Sequence, residues 1–375
     1  MEVRRPFEMV LPEKLLQIAV AFRSAGHQLF VVGGAVRDAV MGIEPHDYDL
    51  ATDATPEQVT EIILGMIDWN ADETGKSFGV IRARVQQLNE LCEYEIATFR
   101  EDLSMGRHPE VRFATIVEDV QRRDLTINAL FYDIEQREIV DLVDGLGDLA
   151  SGLIRMVGHP EDRFAEDRLR VLRAIRFAAR FDYKIQPTTY NAIARDNNLD
   201  GVSFERIRDE IVKALESARN LSRFFDLMAE LDMWTRALPN LKVDARRITS
   251  RNMPVVLALM LEDVDLNTLG TRLNCLKYSS DEISQVLFLL RFRELSFANA
   301  YKLRKLADRV HITDEQINDY CEDRMLPHPR LTARFLKYRP SVSGDVLLEQ
   351  GFVGAELGRE LERQETLLFT RLHDG

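Results

Sequence analysis

The sequence predicts an α+β protein: a small mixed-sheet head over residues 1–150, then an elongated and almost wholly helical remainder. Three observations predict it. Apolar runs of strand length alternate with helical stretches as far as about residue 150. From about Gly158 onward the apolar residues recur at helical spacing nearly throughout. A glycine pair, Gly33-Gly34, closes the first apolar run at a strand-to-helix turn, and two aspartates, Asp47 and Asp49, follow shortly after it.

In chain order, a helix over Pro12–Ala25 leads into a buried strand, Leu29–Val32, and Ala35–Val40 begins a helix. Thr55-Pro56-Glu57 reads as an N-cap with proline at the first helical position, opening a helix through Leu64. Phe78–Val85 and Glu93–Phe99 read as strands, and Ile127–Asp133 with Glu138–Leu142 as a helix-or-strand pair. Glu101–Pro109, polar and glycine-containing, reads as a loop. Helices are expected over Arg163–Arg180, Thr188–Asn197, Phe204–Glu216, Asn220–Leu231, Met253–Leu261, Asp281–Arg291, Ser296–Asp308, Thr313–Asp323 and Ala355–Leu368.

The 375 residues call for more than one domain, and 45% hydrophobic with 30% charged content fits a soluble globular chain. The longest apolar run, Pro254–Leu261, is far too short to span a bilayer. The N-terminus lacks a signal-peptide core, and Cys92, Cys275 and Cys321 show no metal-ligand spacing, which suits a cytoplasmic protein. The net charge of −13 argues weakly against a nucleic-acid binder; yet 9 of the 49 basic residues are lysine and 40 are arginine, the side chain suited to bidentate phosphate and base contacts.

Glycine lets a backbone turn sharply and lets a ligand approach it closely. At the start of a helix such a turn aims N–H groups at an anion, and Arg37 would add a fork for phosphate oxygens. Taken alone, such turns also serve purely structural ends. Asp47 and Asp49, two apart on an extended strand, would share a face and could hold one or two Mg²⁺ ions, a cation that prefers oxygen ligands. Together the two features point to nucleotidyl transfer. Glu93 and Glu95 lie on one face of a strand, and Glu95 could complete the metal site or act as general base. In Arg122-Arg123-Asp124-Leu125-Thr126-Ile127-Asn128, Arg123 could hold triphosphate, Asp124 could orient that arginine or the ribose, and Asn128 could bond a sugar hydroxyl. Glu161–Arg180 carries six arginines and four acids, with Asp167, Arg170, Arg173 and Arg176 in one inclined row. This could be a solvated, salt-bridged face. It could equally read a base: Asp167 accepting from the exocyclic amine of cytosine or adenine, Arg170 donating to the acceptor beside it.

With these pieces in order the chain resembles the bacterial (class II) tRNA nucleotidyltransferase / poly(A) polymerase family of the polymerase-β superfamily. The carrying residues are Gly33-Gly34-Ala35-Val36-Arg37-Asp38, Asp47-Tyr48-Asp49, Arg122–Ala129, Glu166–Arg170 and Glu205–Glu210, matching in order and spacing over residues 28–215, with a fainter echo at Ser343–Gly358. The resemblance implies a polymerase-β-like nucleotidyltransferase head (1–150), a nucleotide-selecting neck (151–218), a body (219–300) and a tRNA-binding tail (301–375), together shaped like a seahorse. It implies template-independent addition of CCA to the 3′ end of tRNA from CTP and ATP, with no membrane and no protein partner. By position, Asp47 and Asp49 become ligands of two Mg²⁺ ions. Gly33, Gly34, Arg37 and Arg123 fall at the triphosphate, Asp167 and Arg170 at the base, and Arg173 and Arg176 at the nucleotide. The chain departs from the family at Leu125, where phenylalanine is usual, at Val80-Ile81-Arg82, and in a somewhat short Glu101–Pro109 loop. A missing loop accompanies members that add only the two cytidines, which leaves CC addition as an alternative. Poly(A) polymerase is a second alternative, although the glycine-arginine-arginine-phenylalanine element is absent. A non-catalytic RNA-binding protein is a third.

Overall fold

The computed structural model describes residues 2–87, 90–102, 111–245, 248–261, 264–324 and 329–372. Contacts divide the chain into two compact units, Met1–Val202 and Ser203–Gly375, a division that falls inside the segment 151–218.

The first unit runs β1 (Val3–Pro6), α1 (Glu13–Ser24), β2 (Leu29–Val32), α2 (Gly34–Val40), β3 (Asp49–Thr52), α3 (Pro56–Leu64), β4 (Trp69–Asp72), β5 (Val80–Gln87), β6 (Glu90–Thr98), β7 (Arg100–Asp102), β8 (Val111–Phe113), α4 (Ile116–Gln121), a 3₁₀ turn at Thr126–Asn128, β9 (Phe131–Asp133), β10 (Glu138–Asp141), α5 (Gly145–Ser151), β11 (Leu153–Ile154), α6 (Pro160–Glu166), α7 (Leu169–Phe181), β12 (Lys184–Ile185) and α8 (Pro187–Arg195). Eight strands form the main sheet in the order β1-β10-β9-β2-β3-β6-β5-β4. Only β3 and β6 pair in parallel there. The all-apolar β2 lies in the interior of the sheet, between β9 and β3, and is buried on both faces, as a continuous apolar run requires. Phe30, Phe99 and Phe131 meet with ring centroids 5.9–6.2 Å apart and centre the core. The expected cap is present: Thr55 and Gln58 form a capping box ahead of Pro56.

Two expectations are corrected, and the open helix-or-strand choice at Ile127–Leu142 is resolved. The helix over Arg163–Arg180 is two helices, α6 and α7. Asp167 adopts an extended backbone (φ −151°, ψ 107°), and its Oδ1 accepts from the Leu169 N–H at 3.1 Å. An aspartate that hydrogen-bonds locally can end one helix and open the next without glycine or proline, so Asp167 sits at a joint ahead of the row formed by Arg170, Arg173 and Arg176. Asp47 lies before β3 rather than on it. The segment Ile127–Leu142 is a 3₁₀ turn followed by the β9–β10 hairpin. The Glu101–Pro109 loop lies mostly outside the described residues, but the flanking β7 and β8 pair antiparallel. The strands β1, β4 and β8 were not foreseen.

The second unit is helical: α9 (Phe204–Ser217), α10 (Leu221–Glu230), α11 (Met233–Ala237), α12 (Met253–Met260), α13 (Leu266–Cys275), α14 (Ser280–Phe292), α15 (Ala300–Arg309), α16 (Asp314–Arg324), α17 (Pro329–Lys337), α18 (Gly344–Glu349) and α19 (Gly354–Arg371). Every residue of α12 is buried, and it packs against α14 and α16. In the tail, Tyr338 Oη donates to the fully buried carboxylate of Glu365 at 2.6 Å; the same carboxylate accepts from the Ser341 and Val342 N–H groups at 2.7 and 2.5 Å. Among the described residues no helix is long and apolar enough to cross a membrane.

Candidate active site

The site is built outward from the end of β2. Gly33 has φ 71° and ψ −124°, a conformation open only to glycine, and its N–H donates at 3.0 Å to the carbonyl of Leu130, just ahead of β9. The turn is thereby pinned to the sheet. The helix it opens, α2, has seven residues, so an anion here would rely on the N–H groups of the turn and on nearby arginines more than on a long helix dipole. Antiparallel pairing sets Val32 opposite Asp49, which brings the first β3 carboxylate alongside the glycine turn.

Asp47 and Asp49 line a cleft of about 580 Å³ together with His46, Tyr48, Glu93 and Glu95. The parallel register aligns Leu50 with Ile96, so Asp49 and Glu95 precede that pair on neighbouring strands. The Asp49 carboxyl is held above the ordinary aspartate range, first by desolvation and then by the negative charge of Glu95, with Asp47 adding to it; Arg123 pulls the other way. Glu95 accepts from Arg82 Nε at 2.8 Å, while Glu93 pairs with Arg84 farther along the same strands. Among the described residues no three His, Cys, Asp or Glu side chains form a ready metal cluster. The two aspartates are hard oxygen donors, and Asp49 is repelled by Glu95 and Asp47, a donor set that suits a divalent cation such as Mg²⁺.

Arg37 and Arg123 part company. Arg37 is turned inward and only 3% exposed. It donates to Asp38 (2.8 Å) and Asn128 (2.5 Å) and sits 5.3 and 5.0 Å from the rings of Phe177 and Phe181 on α7. Burial lowers its pKa and Asp38 opposes that. Both arginines border the glycine turn: Arg37 Nη2 lies 3.5 Å from where a Gly34 Cβ would stand, and Arg123 Nη1 lies 3.7 Å from where a Gly33 Cβ would stand. The Arg123 guanidinium covers the Phe131 ring at 4.6 Å, and its Nε and Nη2 donate to Asp119 Oδ2 at 3.1 and 3.0 Å. Asp119, 1% exposed, escaped the sequence reading. The available signal was an acid three and four residues before two arginines on a short helix.

Asp124 Oδ2 takes both Nε and Nη2 of Arg173 at 2.7 Å, and its Oδ1 reaches Asn128 Nδ2 at 3.5 Å. Its pKa falls below the usual carboxylate range despite desolvation, chiefly because of Arg173. Arg170 donates through Nη2 to the Arg122 carbonyl at 2.9 Å and through Nη1 to Glu166. Arg176, 5% exposed, stacks on Phe177 at 4.3 Å. The Arg122–Asn128 segment and α7 are thus tied together within one unit.

Residues 29–155 match the family described as the poly A polymerase head domain, and residues 182–244 match a probable RNA and SrmB-binding site of polymerase A. The chain is 31% identical over 392 residues to a CCA-adding enzyme of Lactobacillus helveticus, covering 96% of this chain and 94% of that protein. It is 40% identical over 222 residues to a CCA-adding enzyme of Ligilactobacillus salivarius; that match covers 57% of this chain and about half, 52%, of the relative. A solved CCA-adding enzyme of Thermotoga maritima, complexed with tRNA-CCA, superposes with a TM-score of 0.71 at 21% identity, covering 100% of this chain and 97% of that one.

Proposed function

The chain belongs to the bacterial-type CCA-adding enzymes of the polymerase-β superfamily, and from that premise we propose that it adds C and A nucleotides to the 3′ end of tRNA in the cytoplasm, from CTP and ATP, without a nucleic-acid template. One observation carries the reading: the Asp49 carboxylate, repelled by Glu95 and Asp47, faces the field of Arg123, whose remaining edge meets the Gly33 turn. Negative charge for a cation and positive charge for a polyphosphate stand side by side, as nucleotidyl transfer needs.

Enzymes of this family generally use divalent metal ions. In our reading Asp47 and Asp49 hold two Mg²⁺, with Glu95 rather than Glu93 as third carboxylate, supported by its register beside Asp49. When bound, such ions would lower the pKa of the attacking 3′-hydroxyl and neutralise charge on the leaving pyrophosphate. The chain itself supplies the rest. Gly33 and Gly34 let the triphosphate approach the backbone, and Arg123 orients it. Arg37, engaged with Asp38 and Asn128, holds the turn against α7 and fixes Asn128 for the sugar. Asp124 secures Arg173, and Arg176 stacks behind it. Asp167 and Arg170 read the base, Arg170 leaving Glu166 and the Arg122 carbonyl to do so.

The test uses tRNAs ending before, within and after CCA, given CTP and ATP separately and together. Completion to CCA and no further supports the proposal. Arrest after CC would mark a CC-adding enzyme, long A tracts on generic RNA a poly(A) polymerase, and no metal-dependent labelling a non-catalytic binder.

A further inference from the structure

The acid that the sequence reading passed over has an arrangement of its own. Both arginines of Arg122-Arg123 close on one buried carboxylate. Arg122 donates Nε and Nη2 to Asp119 Oδ1 at 2.9 and 2.7 Å, and Arg123 donates Nε and Nη2 to Oδ2 at 3.1 and 3.0 Å. The Arg100 N–H, at the start of β7, is the carboxylate's fifth donor, reaching Oδ1 at 3.3 Å. The Asp119 carboxyl stays below the usual aspartate range in spite of desolvation, because of Arg123 and then Arg122. The trio carries one net positive charge: the acid neutralises one of the two adjacent guanidinia while leaving the cluster cationic.

The geometry matters more than the charge. A guanidinium presents its donors in a rigid fork. Asp119 occupies the Nε/Nη2 edge of Arg123, and the Phe131 ring at 4.6 Å backs its plane. With edge and plane both restrained, Nη1 is directed at the glycine turn, 3.7 Å from the Gly33 Cβ position, where it also reaches the Asn128 carbonyl at 3.5 Å.

We infer that Asp119 is a positioning residue for the incoming nucleotide: by gripping Arg123 edge-on it presents that arginine to the triphosphate, and it therefore governs CTP and ATP alike. This rests on the proposed role of Arg123 at the glycine turn. Asp119→Asn is the informative change. Its single oxygen should stay with the more numerous donors, Arg122 and the Arg100 N–H, turning an amide N–H₂ against Arg123 and releasing it.

Steady-state kinetics on the full-length enzyme with tRNA ending in CC or in its discriminator base would measure KM for ATP and for CTP. Losing a charge-assisted bond should raise both by about 10- to 100-fold and to the same extent, with kcat less affected and KM for tRNA unchanged. In an Arg123→Ala background the same change should add almost nothing. Unequal effects on CTP and ATP, full additivity with Arg123→Ala, or an unchanged nucleotide KM in folded Asp119→Asn would overturn the inference. Should Asp119→Asn yield no folded protein, Asp119→Glu, which keeps the charge but displaces it by one methylene, runs the same cycle under the same criteria. An unchanged nucleotide KM in Arg123→Ala alone would instead overturn the reading of the glycine turn.

Discussion

Replacing the two glycines of the turn one at a time should separate folding from function. Gly33 holds φ 71° and ψ −124°, and the nearest atoms to an added Cβ are Asn128 O at 3.6 Å and Arg123 Nη1 at 3.7 Å. Those are ordinary van der Waals distances, so Gly33→Ala introduces no clash; its whole cost is backbone strain, about 1–3 kcal/mol. For a unit of this size that corresponds to roughly 2–10 °C in Tm. Gly34 is different. Its backbone needs no positive φ, and the nearest atom to its added Cβ is Arg37 Nη2 at 3.5 Å. Gly34→Ala should leave stability unchanged or raise it by about 0.4–1 kcal/mol through the unfolded chain, yet it places a methyl group where the triphosphate approaches the backbone. The assay is urea unfolding followed by far-UV circular dichroism, alongside CTP incorporation. Gly33→Ala should lose stability, and Gly34→Ala should lose incorporation while keeping it. Should Gly33→Ala unfold at the wild-type midpoint, the strain argument is wrong; should Gly34→Ala incorporate normally, the phosphate is not held by this turn.

The remaining predictions concern charges. Asp47→Ala and Asp49→Ala should each cut incorporation by about 10³-fold or more, since each removes a cation ligand worth several kcal/mol in the transition state; near-normal rates would refute the metal assignment. The raised pKa of Asp49 has a linked effect on the cation-free protein. A carboxyl raised in the folded state contributes stability that is complete below its unfolded pKa and lost as pH rises through the folded one. Asp49→Asn should therefore raise Tm in EDTA at pH 7, with the gain vanishing below about pH 4; a loss at pH 7 would contradict this sign. Combining Asp167→Ala with Arg170→Ala should relax discrimination against UTP and GTP by roughly 10- to 100-fold, read as misincorporation, and retained selectivity would refute base reading by this pair. In the second unit, Tyr338→Phe strips a buried carboxylate of one of its donors and should cost about 1–3 kcal/mol in chemical unfolding; an unchanged midpoint would mean that Glu365 finds another partner.

Local chemistry made much of the head legible. An uninterrupted apolar run announced β2, the Thr55-Pro56 pair announced α3, and the alternation of Glu93-Tyr94-Glu95-Ile96 announced β6. What escaped was decided at long range. Val3–Pro6 is a strand because β10 offers it an edge, with nothing in its exposed, arginine-rich sequence to say so. The break at Asp167 goes with a local side-chain hydrogen bond, not with a breaker residue. The choice between Glu93 and Glu95, open in an alternating strand, turns on its register with β3. Arg37, placed by motif at the phosphate, has packing against Phe177 and Phe181 that no motif announces.

The single parallel pairing in the main sheet has a kinetic meaning. Antiparallel neighbours such as β9 and β10 can zip from a tight turn, but β3 meets β6 only after the chain has passed through α3, β4 and β5 and returned. Non-local closure of this kind is slow, because loop entropy is lost before contacts reward it. Asp49 and Glu95 sit at the start of that late-forming register, so their mutual repulsion is felt only once the crossover has closed. The glycine turn depends on a longer closure still, since β9 and the Leu130 carbonyl that pin it lie beyond β6 in the chain, so turn and carboxylate pair are both completed by non-local pairing. Chemistry would therefore switch on only once the sheet as a whole has closed, sparing the cell a half-built enzyme.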